Sequence, residues 1–183
     1  MKTIHIFLIF ILVAVLQLAI PTQMIFNQEN IIETGKPYKF KTQPVDPSDP
    51  FKGKYIYLNY EADSFATTDS VWTRSEDVFV SIANDSLNFA KVINVTRQKP
   101  TNGDYVKAKV DWYSKYDKQL NFTFPFNEFY MNETKAYDAE IAHTKAQNDS
   151  KPNNTYALVY VRDGETVLDN VFINDIPIAD YVE

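Results

Sequence analysis

The sequence predicts a mainly β protein, in which an N-terminal transmembrane helix is followed by a compact antiparallel β domain with one short α-helix. Three observations support this fold class. Residues 4–20 contain no Asp, Glu, Lys or Arg. Apolar and polar residues alternate in several later segments, and clusters of Asn, Asp, Gly and Pro separate these segments. Helical spacing in the domain is convincing only near residues 132–146.

Length and composition limit the possible functions. The chain has 183 residues, a net charge of −6 and no cysteine. This length accommodates one domain and an anchor. The acidic balance argues against a nucleic-acid partner, because nucleic-acid binding needs a basic surface. The absence of cysteine excludes disulfides, thiol nucleophiles and thiolate metal sites.

The apolar run at the N-terminus predicts that the lipid bilayer is one partner of the chain, bound through residues 4–21. A membrane-spanning helix needs about 20 apolar residues, and Lys2 precedes the run whereas Glu29 and Glu33 follow it. Because positive residues remain in the cytoplasm, the domain is expected outside it. A cleaved signal peptide is the alternative, which the length of the run and the lack of a small-x-small site disfavour. The predicted parts are a cytoplasmic N-terminus at 1–3, a transmembrane signal anchor at 4–21, a juxtamembrane connector at 22–35 and an extracytoplasmic domain at 36–183.

The segment from residue 46 to residue 60 organises the rest of the chain. Pro47 and Pro50 fix their own φ angles and disfavour helix at the preceding aspartates. Gly53 permits a backbone conformation that a side chain would forbid. From residue 55 onward the residues favour a strand, with apolar or aromatic side chains on both faces. The segment therefore predicts a rigid turn that leads into a central strand.

Residues 53–60, Gly-Lys-Tyr-Ile-Tyr-Leu-Asn-Tyr, resemble the GDYXXLXY motif that names a family of bacterial membrane-anchored proteins of unknown function. Residues 44–53, 125–140 and 175–181 are also similar to the family pattern. Lys54 stands where the motif has Asp, which argues against an essential carboxylate there. The motif positions predicted to be structural or interaction residues are Asp46, Pro47, Asp49, Pro50, Phe51, Gly53, Tyr55, Leu58 and Tyr60.

The alternating segments predict three hairpins in the domain. Residues 36–42 form a first strand, and residues 77–82 pair with 87–95. Residues 105–113 form a half-buried strand with Val106, Ala108, Val110 and Trp112 on one face, and 118–124 is its partner. Residues 156–161 and 166–173 flank an Asp-Gly turn and close the domain.

The predicted helix carries the most interesting ionisable residues. Glu133 and Glu140 are seven residues apart and share one face, so they form either an acid-base pair or a salt-bridged contact that docks the helix. The second interpretation is favoured. The predicted candidate functional surface comprises Tyr130, Glu133, Lys135, Glu140 and Arg162.

The sequence does not single out a catalytic site. His143 is interpreted as a solvated surface histidine, because no Gly-x-Ser-x-Gly elbow supports a triad. Asp46 and Asp49 lack the spacing of a calcium loop and are interpreted as turn residues. No metal or cofactor is predicted.

The leading functional hypothesis is a non-enzymatic interaction or accessory module for an integral membrane partner. The resemblance favours it, since family members occur alongside multi-pass membrane proteins. One alternative is an envelope-anchored hydrolase that uses a Ser–Lys pair or Glu133 and Glu140. The other is a small-ligand-binding domain with a pocket at the aromatic sheet.

Overall fold

A computed structural model describes residues 3–43, 55–148 and 154–182. The helices are α1 (Thr3–Thr34), α2 (Glu133–Asn148) and α3 (Ile178–Tyr181). The strands are β1 (Lys36–Gln43), β2 (Tyr55–Tyr57), β3 (Asn59–Tyr60), β4 (Ser64–Ala66), β5 (Asp77–Asn84), β6 (Ala90–Thr96), β7 (Asp104–Ser114), β8 (Gln119–Thr123), β9 (Glu128–Tyr130), β10 (Thr155–Arg162), β11 (Glu165–Ile173) and β12 (Ile176–Pro177).

The strands form three antiparallel sheets, which confirms the predicted mainly β class. One sheet has the order β12-β11-β10-β1-β3, and a second has the order β4-β8-β7-β5-β6. In the second sheet the outer strands β4 and β6 contact each other, so that the sheet curls towards a barrel. The pair β2-β9 forms the third sheet. The three predicted hairpins are present, and Asp163 and Gly164 turn the last of them with φ angles of 52° and 84°.

Helix α1 is long and apolar enough to span a membrane or to act as a signal sequence. None of its side chains is buried by the rest of the protein. Its 32 residues extend for roughly 48 Å at about 1.5 Å per residue. The helix also includes residues 22–34.

A single residue, Gly35, joins α1 to β1. The Gly35 backbone N–H donates to the Ile31 carbonyl at 2.8 Å. A Cβ atom at position 35 would lie 2.4 Å from that same oxygen, so a side chain would force the joint to shift. On the domain side, Arg162 Nη1 donates to Thr34 Oγ1 at 2.6 Å. The helix therefore continues into the domain through a single residue.

The core contains a cluster of aromatic rings around β1. The Phe40 ring lies 5.7 Å from the Tyr60 ring, 5.3 Å from the Phe124 ring and 4.9 Å from the Phe126 ring, measured between centroids. All four side chains are buried. Edge-to-face aromatic pairs stabilise a core beyond the burial of their surface alone. The Tyr60 side chain thus places the end of the motif segment in the core.

The prediction of a central strand in the motif was wrong, although its alternation was correct. Ile56, Leu58 and Tyr60 all point into the core. However, the strand is divided into β2, which pairs with β9, and β3, which pairs with the end of β1 at a sheet edge. Leu58 lies at the division, where its N–H donates to the Asn127 carbonyl at 2.8 Å. The chain therefore changes partners in the middle of the motif.

The placement of Trp112 in the core was also wrong. Val106, Ala108 and Val110 are buried as predicted, whereas 57% of Trp112 is exposed. The pairing between β7 and β8 shifts between Val110 and Trp112, which leaves Asp111 as the extra residue of a β-bulge. Because a bulge adds one residue to the strand, the side chains beyond it change faces.

Candidate functional site

The motif strand lines a small pocket beside a larger open groove. The pocket has a volume of about 130 Å³, and the groove has a volume of about 570 Å³. We call them the motif pocket and the outer groove. The residues that line both are Asp111, Thr123, Phe124 and Asn127. The residues with polar side chains that line the motif pocket are Tyr57, Asn59, Tyr60, Asp63, Asp111, Thr123 and Asn127.

Local structure explains why these side chains converge. Tyr57 and Asn59 face away from the core because Ile56, Leu58 and Tyr60 occupy the opposite face of the strand. Asp111 reaches the pocket from the bulge of β7. Bulges often reorient a side chain in this way near functional sites.

The motif pocket is acidic. Thr123 Oγ1 donates to Asp111 Oδ2 at 2.5 Å. Burial, with a smaller contribution from the neighbouring Asp111 carboxylate, raises the pKa of Asp63 above its usual value. Asn127 Nδ2 donates to the Tyr57 hydroxyl at 3.3 Å, which positions the phenol at the edge of the pocket. The pocket thus presents carboxylates, carboxamides and an aromatic ring to one small volume.

The outer groove is lined by both apolar and charged residues. Its apolar lining residues include the exposed Pro125 together with Val110 and Phe124, which are buried in the core. Two ion pairs lie among the residues that line it, Lys107 with Glu165 and Lys109 with Asp77. These pairs are exposed, so each contributes little to stability. They also neutralise both lysines of the groove.

Three tyrosines of the β2-β9 sheet form a partly exposed surface, which we call the tyrosine face (Tyr55, Tyr57 and Tyr130). The Tyr55 and Tyr130 rings lie 5.5 Å apart between centroids. Tyr57 is 41% exposed and Tyr130 is 67% exposed. The Tyr130 hydroxyl donates to Glu128 Oε2 at 2.6 Å, which holds the ring in place.

The structure separates the predicted motif residues into two groups. Leu58 and Tyr60 are buried, and the Tyr60 hydroxyl donates to the Phe126 carbonyl at 2.7 Å. Tyr55 belongs to the tyrosine face. The remaining predicted motif residues lie outside the described residues; they are Asp46, Pro47, Asp49, Pro50, Phe51 and Gly53.

The residues of the predicted candidate functional surface make separate contacts in different parts of the structure. Tyr130 belongs to the tyrosine face, and Lys135 Nζ donates to the Ala179 carbonyl of α3 at 3.1 Å. Arg162 lies at the joint with α1, and Glu140 is half-buried on α2. Glu133 begins α2, and its side chain lies outside the described part of the structure.

The interpretation of His143 as a solvated residue was wrong, because only 2% of it is exposed. Its Nε2 lies 3.1 Å from Thr42 Oγ1 and 3.1 Å from Gln147 Nε2. Burial lowers the pKa of His143 to about 4. Helical spacing in the sequence could have indicated this burial, because Ala139 and Ala146 lie on the same face of the helix as His143 and are buried.

The sequence reasoning missed the acidic residues of the motif pocket. Asp63 lies in a polar segment and Asp111 at the end of an alternating strand, so neither pattern indicated that they face one volume. Within the described ranges, no three His, Asp or Glu residues are grouped to hold a metal ion.

Comparison with known proteins gives one family match. A family model described as GDYXXLXY protein matches residues 17–171, which is most of the chain. The match begins inside α1 and therefore includes the joint at Gly35 as well as both acidic residues of the motif pocket. No curated protein and no solved structure matches the chain.

Proposed function

This chain belongs to the GDYXXLXY family, and we propose that it is a membrane-anchored, extracytoplasmic interaction module for an integral membrane protein of the bacterial envelope. In this proposal α1 is retained as a signal anchor. The proposed divisions are a cytoplasmic N-terminus at 1–3, a membrane span at 4–21, a connector at 22–35 and the domain at 36–183. Lys2 before the span and Glu29 after it support this orientation.

The observation that carries the proposal is the one-residue connection between an unburied apolar helix and the domain. Gly35 alone separates α1 from β1, and Arg162 donates a hydrogen bond across this connection to Thr34. A domain held in this way stays near the bilayer surface in a restricted orientation. Confinement of this kind raises its effective concentration for a partner in the same membrane.

The tyrosine face is the surface that we propose for the partner. Aromatic side chains are enriched at protein interfaces, where tyrosine combines apolar area with a polar group. Tyr55 and Tyr130 contact each other, which limits the side-chain entropy lost on binding. The family motif itself supplies Tyr55 to this surface.

Site-specific photo-cross-linking in native membranes tests this proposal. A photoreactive residue is placed at Tyr130 or, as a matched control, at Tyr116, which is 99% exposed elsewhere in the domain. We expect position 130 to capture one reproducible integral membrane protein and position 116 to capture it at least about tenfold less. The additional substitution Tyr55→Ala should reduce the capture from position 130.

Equal capture from both positions would show that contact with the tyrosine face is not specific. Recovery of the chain alone from position 130, with the domain folded and membrane-bound, would argue against the interaction role altogether. Deletion of residues 1–21 provides a second control, because an untethered domain should lose the capture even though its tyrosine face is intact.

A second candidate function is the binding of a small ligand. The observation that favours it is the motif pocket, which is lined by Tyr57 and Asn59, at unspecified positions of the motif, and by Asp63 and Asp111. The pocket and the outer groove together fall within the size range of small-molecule sites, about 300–1,000 Å³. Tyr57 belongs both to this pocket and to the tyrosine face.

A further inference from the structure

We propose that the motif pocket and the adjoining outer groove bind a neutral polyhydroxyl ligand such as a sugar ring. This inference rests on the ligand-binding role proposed above and specifies the chemistry of its ligand. It is carried by the mixture of groups that line the pocket: carboxylates, carboxamides and the exposed ring of Tyr57.

The hydrogen-bonding groups of the pocket match those of adjacent hydroxyls. Asp63 and Asp111 supply acceptors when they are ionised, whereas the carboxamides of Asn59 and Asn127 supply both donors and acceptors. A hydroxyl group is also both a donor and an acceptor. Neighbouring hydroxyls can therefore donate to a carboxylate and accept from a carboxamide, and hydrogen bonds to an ionised oxygen are the stronger kind.

The negative charge of the motif pocket disfavours anionic ligands. The residues that line the motif pocket include two aspartates, and no Lys or Arg is among the described residues that line it. The lysines of the outer groove are already paired with Glu165 and Asp77. Phosphates, nucleotides and other anions would be repelled at the pocket, because like charges at close range disfavour binding.

The aromatic and apolar residues of the site can contact the apolar face of a sugar. One face of a sugar ring carries C–H groups and is apolar, so it can pack on an aromatic side chain. Tyr57 stands at the edge of the pocket with its hydroxyl held by Asn127. Pro125, which is exposed in the outer groove, can cover a second ring. A site with both polar and apolar surfaces favours a sugar over a small inorganic ion, which would not contact the apolar surface.

Calorimetric titration of the full-length chain tests the inference. The protein is kept in nanodiscs or in a detergent without a sugar head group, since such a head group would compete. The probes are glucose, galactose, N-acetylglucosamine, maltose and chitobiose, with methylammonium as a cationic comparison. We expect at least one sugar to bind, and we expect Asp111→Asn and Tyr57→Leu each to weaken it by about tenfold or more.

The control is Asp169→Asn, the same chemical change at an exposed strand position that is not among the residues lining the two cavities. It should leave the affinity unchanged. Melting temperatures identify variants that fail to fold, and if Asp111→Asn is one of them, Tyr57→Leu and Asn59→Ala decide the result.

Several results would overturn the inference. They are the absence of sugar binding at concentrations up to about 50 mM, sugar binding that Asp111→Asn and Tyr57→Leu leave intact, and binding of methylammonium in place of any sugar. Absence of sugar binding in the unmodified chain, together with capture of a partner from position 130, would refute only this inference. Sugar binding without capture would refute only the interaction role.

Discussion

Replacing Tyr60 with alanine is expected to lower the free energy of unfolding by about 3–5 kcal/mol, as truncation of a large buried aromatic side chain does. The Tyr60 ring is buried against Phe40, Phe124 and Phe126. Its hydroxyl donates to the Phe126 carbonyl, and burial raises the pKa of Tyr60. The substitution therefore leaves both a cavity and an unpaired carbonyl. Urea unfolding of the full-length chain in micelles measures the loss, and both tryptophans of the chain lie in the domain and report it.

Matched tyrosine substitutions separate the structural part of the motif from its surface. Tyr60→Phe should cost about 1 kcal/mol, since it removes the hydrogen bond and keeps the ring. Tyr55→Ala should cost less than Tyr60→Ala because its side chain is only partly buried. Tyr116→Ala should stay within about 0.5 kcal/mol of the unmodified chain, since its side chain is exposed. If Tyr55→Ala destabilises the domain as much as Tyr60→Ala, the assignment of Tyr55 to a binding surface is wrong.

The second large effect is a dependence of stability on pH that arises at His143. Burial lowers the pKa of His143 to about 4, whereas the usual value is 6.5. Between these values the unfolded chain binds a proton that the folded domain excludes. Stability should therefore be highest above pH 6.5 and fall as the pH decreases towards 4, by roughly 3 kcal/mol in total from this one group.

Urea midpoints measured between about pH 5 and pH 7 test this expectation. Carboxyl groups contribute to the dependence at the lower end of this range, so the comparison with His143→Gln isolates the histidine. Glutamine is neutral and can still bond to Thr42 and Gln147. The variant should lose most of the slope even if it is less stable throughout. An unchanged slope in a folded variant would show that His143 is not excluded from protonation.

The amino-acid sequence predicted the order of the main strands because its signals are local. Alternation in residues 77–82, the Asp163-Gly164 turn and the apolar run of α1 each depend on neighbours in the chain. The buried face formed by Ile56, Leu58 and Tyr60 was also predictable, since it follows from the two-residue period of a strand. These features need no knowledge of what the segment packs against.

The candidate site depends on distant contacts and was not predictable in the same way. The division of the motif strand requires the Asn127 carbonyl, which is far along the chain from Leu58. The bulge at Asp111 depends on its pairing with β8 and moves Trp112 to the surface. His143 is buried because Thr42 and Gln147 satisfy it. The Asn127 carbonyl, β8 and Thr42 are all distant in sequence from the features that they determine.

The central claim is that an uncleaved α1 holds the domain outside the cytoplasm, and protease treatment of intact spheroplasts tests it most directly. The chain carries a C-terminal tag, and its size is measured before and after treatment. We predict a membrane-bound chain of uncleaved size whose domain is degraded without lysis, while a cytoplasmic control protein survives. A chain shortened by about 20 residues and released from the membrane, or a domain degraded only after lysis, would contradict the claim.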